Sequence, residues 1–448
     1  MSLAKVIQRI KKEWQIIVTI LGIYIFYYTL TSINWPKAQR RLKSDIDPEV
    51  PIKTDSWIYN PGKVYPPEWY AIPKKPDPQC KPKHNLHFLR THQTGTSSIT
   101  NIFYRYGQEH DLKFVMNALK LNLNYPGRIN MHYLESVKPP QGYSILCQYS
   151  RFHKMDALRI MPDGTIFTTL LRHPVDQFLS VFHNHGIKEE IRNLQPHHNP
   201  YEEFFRNPKK ISMMASDAVF HLIQNSMSFD LGLNPLQFPN ETAVDELIKK
   251  VDEDFHLVII IEMLDECLVL LRRLMCWDLK HMIYVKLSVN NEYSNGIKPE
   301  IREKILDWNS VDKKLYDHFY KKLQRIISEQ DEDFHKEVAM LKKINAEFWR
   351  ECYSNVLPVF DGNKIGYTLQ DTHSDNKTCK TLATDDVTQT HVIGLKQFKD
   401  TLPPSDILMV RNHMQNLGKF NPAMLKWGDV YNALDPDDAY YKSPFDEL

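Results

Sequence analysis

Short apolar runs separated by stretches of helical period predict a layered α/β fold for most of this chain. One run opens at Leu86, and others lie at Tyr143–Cys147, Thr165–Leu171, Leu257–Ile261 and Met282–Val285. Each is too short for a helix and reads as a strand. Between them, Val175–His183, Tyr201–Asn207, Ile211–Asn225 and Leu264–Met275 carry apolar residues at helical spacing, and a long helix is predicted from Pro299 to about Ile344. Strands alternating with helices argue for a mainly parallel central sheet flanked by helices. After Glu351 the pattern dissolves into mixed turns, and the segment Tyr431–Leu448 is rich in Asp and Tyr.

The N-terminus follows a different pattern. Ile16 to Ile33 contains no charged residue and is flanked by Trp14 and Trp35, which suits a membrane span with interfacial anchors. No small-residue cleavage site follows, so the run is expected to be a retained signal anchor. Residues 1–15 then form a cytosolic tail, 16–35 the transmembrane anchor, 36–84 a proline-rich stem, and 85–448 the globular body. Basic residues are balanced on either side of the span, so charge alone does not orient it. The sequons at Asn240 and Asn376 and the even set Cys80, Cys147, Cys267, Cys276, Cys352 and Cys379 favour an oxidising lumen for the body. Six cysteines allow fifteen pairings, and sequence does not choose among them. Trp57, Tyr59, Tyr65, Trp69 and Tyr70 are unusual in a linker, so part of the stem is expected to lie on the body.

Composition narrows the function. The 448 residues are 42% hydrophobic and 25% charged, with a formal net charge of +1. Such a chain buries a large core and offers no global basic field for a nucleic acid. Any anion site must be local.

Two strand-turn-helix corners supply candidates. In the first, the strand from Leu86 runs into Arg90-Thr-His-Gln-Thr-Gly-Thr-Ser-Ser98, and Ile99, Ile102, Phe103 and Tyr106 then recur at helical spacing. N–H groups at a helix start lack intrahelical partners and carry the positive end of its dipole, so they suit a phosphate or phosphosulfate. Gly95 permits close backbone approach, and Thr94, Thr96, Ser97 and Ser98 offer hydroxyl donors. In the second corner, Thr165–Leu171 leads to Arg172-His-Pro174 and a helix carrying Ser180. Ligands in open α/β sheets bind beyond the carboxyl ends of the strands, so the two corners are expected to face one crevice. The first loop lacks the Gly-Lys-Ser/Thr ending of a nucleoside-triphosphate loop, which disfavours a kinase or nucleotidase.

Corners of this kind, the first rich in Thr, Ser and Gly and the second with Arg172 and Ser180, resemble the 5′-phosphosulfate and 3′-phosphate motifs of sulfotransferases that use 3′-phosphoadenylyl sulfate (PAPS). Arg151-Phe152, Met161-Pro162, Asn225 to Gly232, Leu268 to Asp278, Trp308-Asn309, Asp312, Leu315-Tyr316 and His318-Phe319 narrow the resemblance to the galactose 3-O-sulfotransferase family. That resemblance implies a P-loop-like sheet and a Golgi single-pass type II membrane protein with a lumenal catalytic domain. It implies Thr94, Gly95, Thr96, Ser97 and Ser98 at the phosphosulfate, and Arg172 and Ser180 at the 3′-phosphate. The implied reaction transfers a sulfuryl group from PAPS to the 3-hydroxyl of a terminal galactose on a glycolipid or glycan, without a metal.

The chain departs from that family at two places. The family usually reads Thr-His-Lys-Thr in the first loop, and here the residues are Thr91-His92-Gln93-Thr94. Losing one such charge at a leaving oxygen costs about 3–4 kcal/mol, or roughly 10²–10³ in rate. Arg90, two residues before His92 on the same strand face, is a candidate substitute cation. Where the family tends to carry a histidine pair, this chain has Gln148-Tyr149-Ser150, and a phenol is a poor base at neutral pH. The catalytic candidates are therefore Gln93, His92, Arg90 and Tyr149, with His132, His153 and Glu262 as further bases. The alternative is a pseudoenzyme that binds donor or glycan without turnover. The terminal Phe445-Asp-Glu-Leu448 resembles an endoplasmic-reticulum retrieval signal but lacks its usual Lys or His.

Overall fold

A computed structural model of the chain describes residues 65–398, apart from 118–119, 195–197, 216, 239, 288–293, 295, 360–363 and 374–375. The expected tail, transmembrane anchor and first part of the stem lie outside the described residues, as does the C-terminal Phe445–Leu448 motif. Among the described residues no helix is long and apolar enough to cross a membrane.

The centre is a five-stranded sheet of β1 (Leu86–Leu89), β2 (Phe114–Val115), β3 (Ile145–Leu146), β4 (Ile166–Leu171) and β5 (Leu257–Ile260), in the order β2-β3-β1-β4-β5. Every pairing is parallel, with Leu86 opposite Ile166 and Leu171 opposite Ile260. Every residue of these strands is buried, as expected for a parallel sheet covered on both faces by its crossover helices.

The helices that shape the site are α1 (Thr96–Glu109) after β1, α2 (Pro174–Asn184) after β4, the short α3 (Ser226–Asp230), and α4 (Leu264–Met275) after β5. Then come α5 (Ser310–Ser328) and α6 (Glu332–Cys352), an antiparallel hairpin of β6 (Tyr353–Val359) and β7 (Lys364–Leu369), and α7 (Lys377–Ala383) and α8 (Asp386–Gln397). Ile99, Ile102, Phe103 and Tyr106 of α1 are buried in the main core with Phe88 and Trp277. Burying an aliphatic or aromatic side chain of this size contributes about 1.5–3 kcal/mol relative to exposure. Apolar burial therefore holds the helix whose first turn forms part of the candidate site.

Some predicted elements are redrawn. Met282–Val285 is not a strand: Leu279–Met282 is a 3₁₀ turn, and Ile283 and Val285 sit in a side cluster with Cys352, Tyr353 and Leu382. The Ile211–Asn225 stretch is split into Pro208–Met214 and Asp217–Phe220. The long helix from Pro299 breaks at Asn309, whose side-chain oxygen accepts the Asn225 N–H (2.8 Å), and again before Asp331, which caps α6.

Residues 65–84 lie on the body, as their aromatic content predicts. Trp69 donates its indole N–H to the Gly164 carbonyl (2.9 Å), Trp277 donates to the Lys83 carbonyl (2.8 Å), and Arg273 reaches the Lys74 carbonyl (3.0 Å). Disulfides join Cys80 to Cys276 and Cys352 to Cys379. Cys147 and Cys267 are buried thiols, and burial pushes both up to about 12. Beyond Glu351, where the sequence predicts mixed turns, α7 and α8 pack on α1. Asn101 donates to the carbonyls of Thr381 (2.9 Å) and Thr384 (3.0 Å), and the Gln397 amide exchanges two hydrogen bonds with the Phe114 backbone (2.9 and 2.8 Å).

Candidate active site

β1 and β4 are neighbours and parallel, so the loop after Leu89 and the turn after Leu171 leave the same edge of the sheet side by side. The first loop turns through two left-handed residues, Gln93 (φ 60°) and Gly95 (φ 91°). The dihedral favours glycine at position 95, and a Cβ there would also sit a tight 3.3 Å from the Ile261 side chain. Gly95 is also the N-cap of α1 and supplies no side-chain cap, which leaves the first N–H groups of the helix without intrahelical partners.

The loop's hydroxyls turn inward instead of outward to an anion. Thr94 Oγ1 bonds the carbonyl (2.9 Å) and hydroxyl (2.8 Å) of Thr91, and Thr96 Oγ1 meets Arg90 Nε and the Tyr149 hydroxyl, both at 3.2 Å. Ser97 donates to Asp386 (3.2 Å), and Ser98 accepts the Leu287 N–H (3.1 Å). All four residues are buried. Their hydroxyls brace the loop, so its donors toward an anion are backbone N–H groups.

Arg90 does not reach over the loop as a substitute cation. Its side chain is 0% exposed, ion-paired with the 1% exposed Asp386 of α8, and stacked 3.9 Å from the Tyr149 ring centroid. Burial works to lower its pKa, but Tyr149 and Asp386 outweigh burial and raise it. The charge is retained and is matched beneath the loop.

Gln93 links the two corners. Its amide oxygen accepts from the Ser180 hydroxyl (2.8 Å) and Asn184 (3.2 Å), its amide nitrogen lies 2.9 Å from His185 Nε2, and its backbone carbonyl accepts from Arg172 (3.1 Å). Arg172 and Ser180 thus meet the first loop, as the sheet topology predicts. Burial, followed by the neighbouring His92, lowers the pKa of His185. Arg172 is the guanidinium that reaches this side of the loop.

His92 is the most organised group in the site. Its backbone N–H donates to Asp230 (2.8 Å), and its Nδ1 lies 3.0 and 3.2 Å from the two Asp230 carboxylate oxygens. A carboxylate only accepts, so Nδ1 carries the proton and Nε2 keeps its lone pair. Asp230 is 0% exposed and His92 15%, so the acid is sealed behind an imidazole that reaches solvent. Tyr125 also donates to Asp230 (2.8 Å), and the imidazole is flanked by the rings of Tyr125 (4.2 Å) and Tyr149 (4.3 Å).

The residues that hold Asp230 come from scattered parts of the chain. Asp312 accepts the backbone N–H groups of Met227 (3.0 Å) and Ser228 (2.8 Å), and burial pushes its carboxyl up to about 6. Phe152 donates its N–H to the Asp230 carbonyl (2.8 Å), and Arg151 bonds the carbonyls of Phe229 (3.3 Å) and Leu233 (3.2 Å). Three of the stretches singled out in the sequence therefore serve one carboxylate.

The other base candidates are occupied elsewhere. His153 caps Lys154–Ile160 by accepting the Asp156 N–H, and His132 is exposed on the short helix Met131–Ser136. Glu262 accepts the His173 N–H (2.8 Å) and the Tyr316 hydroxyl (3.3 Å), and burial raises its pKa. Tyr149 is the platform between Arg90 and His92. At the far end of α1, Glu109, His110 and His281 gather closely enough to ligate a metal. His281 accepts the Asp278 N–H through Nδ1 (3.2 Å), so in its neutral form Nε2 carries the proton and faces Glu109. Asn240 and Asn376 are both exposed helix N-caps. Asp230 and Asp386 are the site residues that sequence reasoning missed. Asp230 lay inside a quoted stretch as a lone acid among apolar neighbours, whereas nothing in the sequence pattern marked Asp386.

Comparison with known proteins identifies the family. Residues 1–370 match the model of the galactose-3-O-sulfotransferase family. Galactosylceramide sulfotransferase of Mus musculus is 31% identical over 275 residues, covering 61% of this chain and 65% of that protein. Galactose-3-O-sulfotransferase 2 of Homo sapiens is 33% identical over 254 residues, 54% of this chain and 61% of its own length. Galactose-3-O-sulfotransferase 2 of Sus scrofa is 28% identical over 352 residues, 73% and 87% respectively. The chain thus spans just under two thirds of the mouse and human relatives it matches.

Proposed function

The chain belongs to the galactose-3-O-sulfotransferase family, and we propose that its sheet-edge site transfers a sulfuryl group from PAPS to the 3-hydroxyl of a terminal galactose on a glycolipid or glycan. The observation that carries this reading is the His92–Asp230 pair, set beside a loop that also meets Arg172 and Ser180. In the reaction the galactose oxygen forms a bond to sulfur while the bond from sulfur to the bridging phosphate oxygen breaks. The proton of the 3-hydroxyl passes to His92 Nε2, and Asp230 stabilises the imidazolium that results. The leaving group is 3′,5′-ADP, whose 5′-phosphate gains negative charge. Backbone N–H groups at the start of α1 and the Arg172 guanidinium answer that charge. Ser180 and Arg172, which both meet the first loop, are assigned to the 3′-phosphate in this reading.

The binding-only alternative rested on the missing lysine at position 93. It draws no support from the relatives, whose names are all those of sulfotransferases. We also place the body in the Golgi lumen behind a type II anchor, a reading supported by the apolar run Ile16–Ile33 and by two disulfides in the body. The test of function is transfer of labelled sulfate from PAPS by the full chain in detergent. Labelled galactosylceramide or N-acetyllactosamine is the expected result, and binding of 3′,5′-ADP with no transfer to either would overturn it. Endoglycosidase sensitivity and protease protection of the body in sealed vesicles test the topology.

A further inference from the structure

Beside the His92–Asp230 pair lies a pocket of about 330 Å³ lined by Asn117 and by described residues from Lys120 to Tyr133. Its lining includes Lys120, Asn122, Asn124, Tyr125, Asn130 and Tyr133, with no carboxylate among the described residues. Tyr125 is common to pocket and site: it lines the cavity while its ring lies 4.2 Å from the His92 ring and its hydroxyl donates to Asp230. We propose that this pocket is a saccharide subsite, holding the sugar next to the galactose that is sulfated.

The chemistry of the lining favours a sugar over a lipid chain. Asparagine amides offer donors and acceptors together, which is what a ring of hydroxyls needs, and tyrosines present an apolar face to the C–H side of a pyranose with a polar tip at the rim. Its size falls at the lower end of ligand pockets, roughly 300–1,000 Å³. Leu123, the aliphatic side chain among the described lining residues, is 3% exposed and offers little surface to an acyl chain. The wall is also tied to the reacting centre. Leu123 donates its N–H to the Tyr149 carbonyl (2.8 Å), and Tyr149 donates to the Leu121 carbonyl (3.1 Å), so this segment runs alongside the residue whose ring stacks on His92. A sugar seated there is held at a fixed distance from Nε2, which is what orientation of an acceptor hydroxyl requires.

This inference rests on the sulfuryl-transfer reading, and binding separates the two. Full-length protein in detergent, loaded with 3′,5′-ADP, is titrated with N-acetyllactosamine. Asn122→Ala and Tyr133→Ala are each expected to weaken its binding at least tenfold while leaving the 3′,5′-ADP affinity within twofold. Unchanged N-acetyllactosamine affinity in both variants overturns the subsite. A wild-type protein that binds N-acetyllactosamine but transfers no sulfate defeats the transfer reading and leaves the subsite standing. A wild-type protein that transfers sulfate to galactosylceramide but shows no affinity for N-acetyllactosamine defeats the subsite alone. Exposed Lys120 gives a readout without mutation. Saturating N-acetyllactosamine is expected to slow its acetylation by a small reagent at least threefold, and an unchanged rate counts against the subsite even if the variants fail to fold.

Discussion

The two sides of the first loop are built in contrasting ways. On one side His92 is backed by a buried carboxylate, flanked by two aromatic rings and left with Nε2 for chemistry. On the other side Gln93 is neutral, and the hydroxyls that follow it are spent on the protein itself. On the proposed reading, proton removal is pre-assembled, whereas charge on the donor side comes from Arg172 and from backbone dipoles. Under that proposal adjacent residues divide the work: His92 would address the acceptor, while Gln93 ties the first loop to the corner that carries Ser180.

Substitutions at either side test that division. After removal of His92 itself, the largest effect is expected from Asp230→Asn, which presents an amide N–H to the imidazole and disfavours the tautomer with a free Nε2. Turnover should fall about 10²-fold or more while 3′,5′-ADP still binds, as seen by steady-state kinetics beside calorimetry. Equal loss of turnover and nucleotide affinity would instead mark Asp230 as a general scaffold.

Asp386→Ala leaves the Arg90 guanidinium buried without its partner, a change that typically costs about 3–5 kcal/mol. The thermal midpoint should drop clearly, and the KM for PAPS should rise more than the KM for the acceptor, because Ser97 loses its anchor as well. An unchanged midpoint would show that the α8 contact is dispensable. Gln93→Lys restores charge on the donor side and is expected to raise turnover roughly tenfold or more. No gain would mean that Arg172 already meets the need.

The smallest effect concerns pH. His87 of β1 is fully buried, both ring nitrogens lack a hydrogen-bond partner, and burial lowers its pKa to about 3. The unfolded chain binds a proton near pH 6.5 that the folded chain refuses, so stability is lost as pH falls from about 6.5 toward 3. Between pH 7.5 and 5 this amounts to about 2 kcal/mol. His87→Phe should therefore narrow the gap in thermal midpoint between those two pH values, and an unaltered gap would contradict the assignment.

Much of this arrangement was legible in the sequence because local rules wrote it. Thr165–Leu171 and Leu264–Met275 emerged almost to the residue, since a β-rich run and an uninterrupted helical period admit few alternatives. The meeting of Arg172 and Ser180 with the first loop followed from parallel strands that share one carboxyl edge. Tertiary choices were not legible. β2 is only two residues, too short to leave a pattern, whereas β3 lies inside the predicted run Tyr143–Cys147. The break at Asn309 answers to a hydrogen bond with Asn225, a residue distant in sequence. Asp386 sits nearly three hundred residues from Arg90 (a separation of 296), in a region with no strong periodicity, so its pairing could not be read from either segment.

The most direct test of the division between the two sides is His92→Ala, assayed for sulfate transfer and for 3′,5′-ADP binding in the same preparation. The account predicts turnover reduced by roughly 10²–10⁴ with nucleotide affinity within twofold of wild type. Turnover close to wild type, or nucleotide affinity lost in parallel with it, would contradict the assignment of His92 as the base.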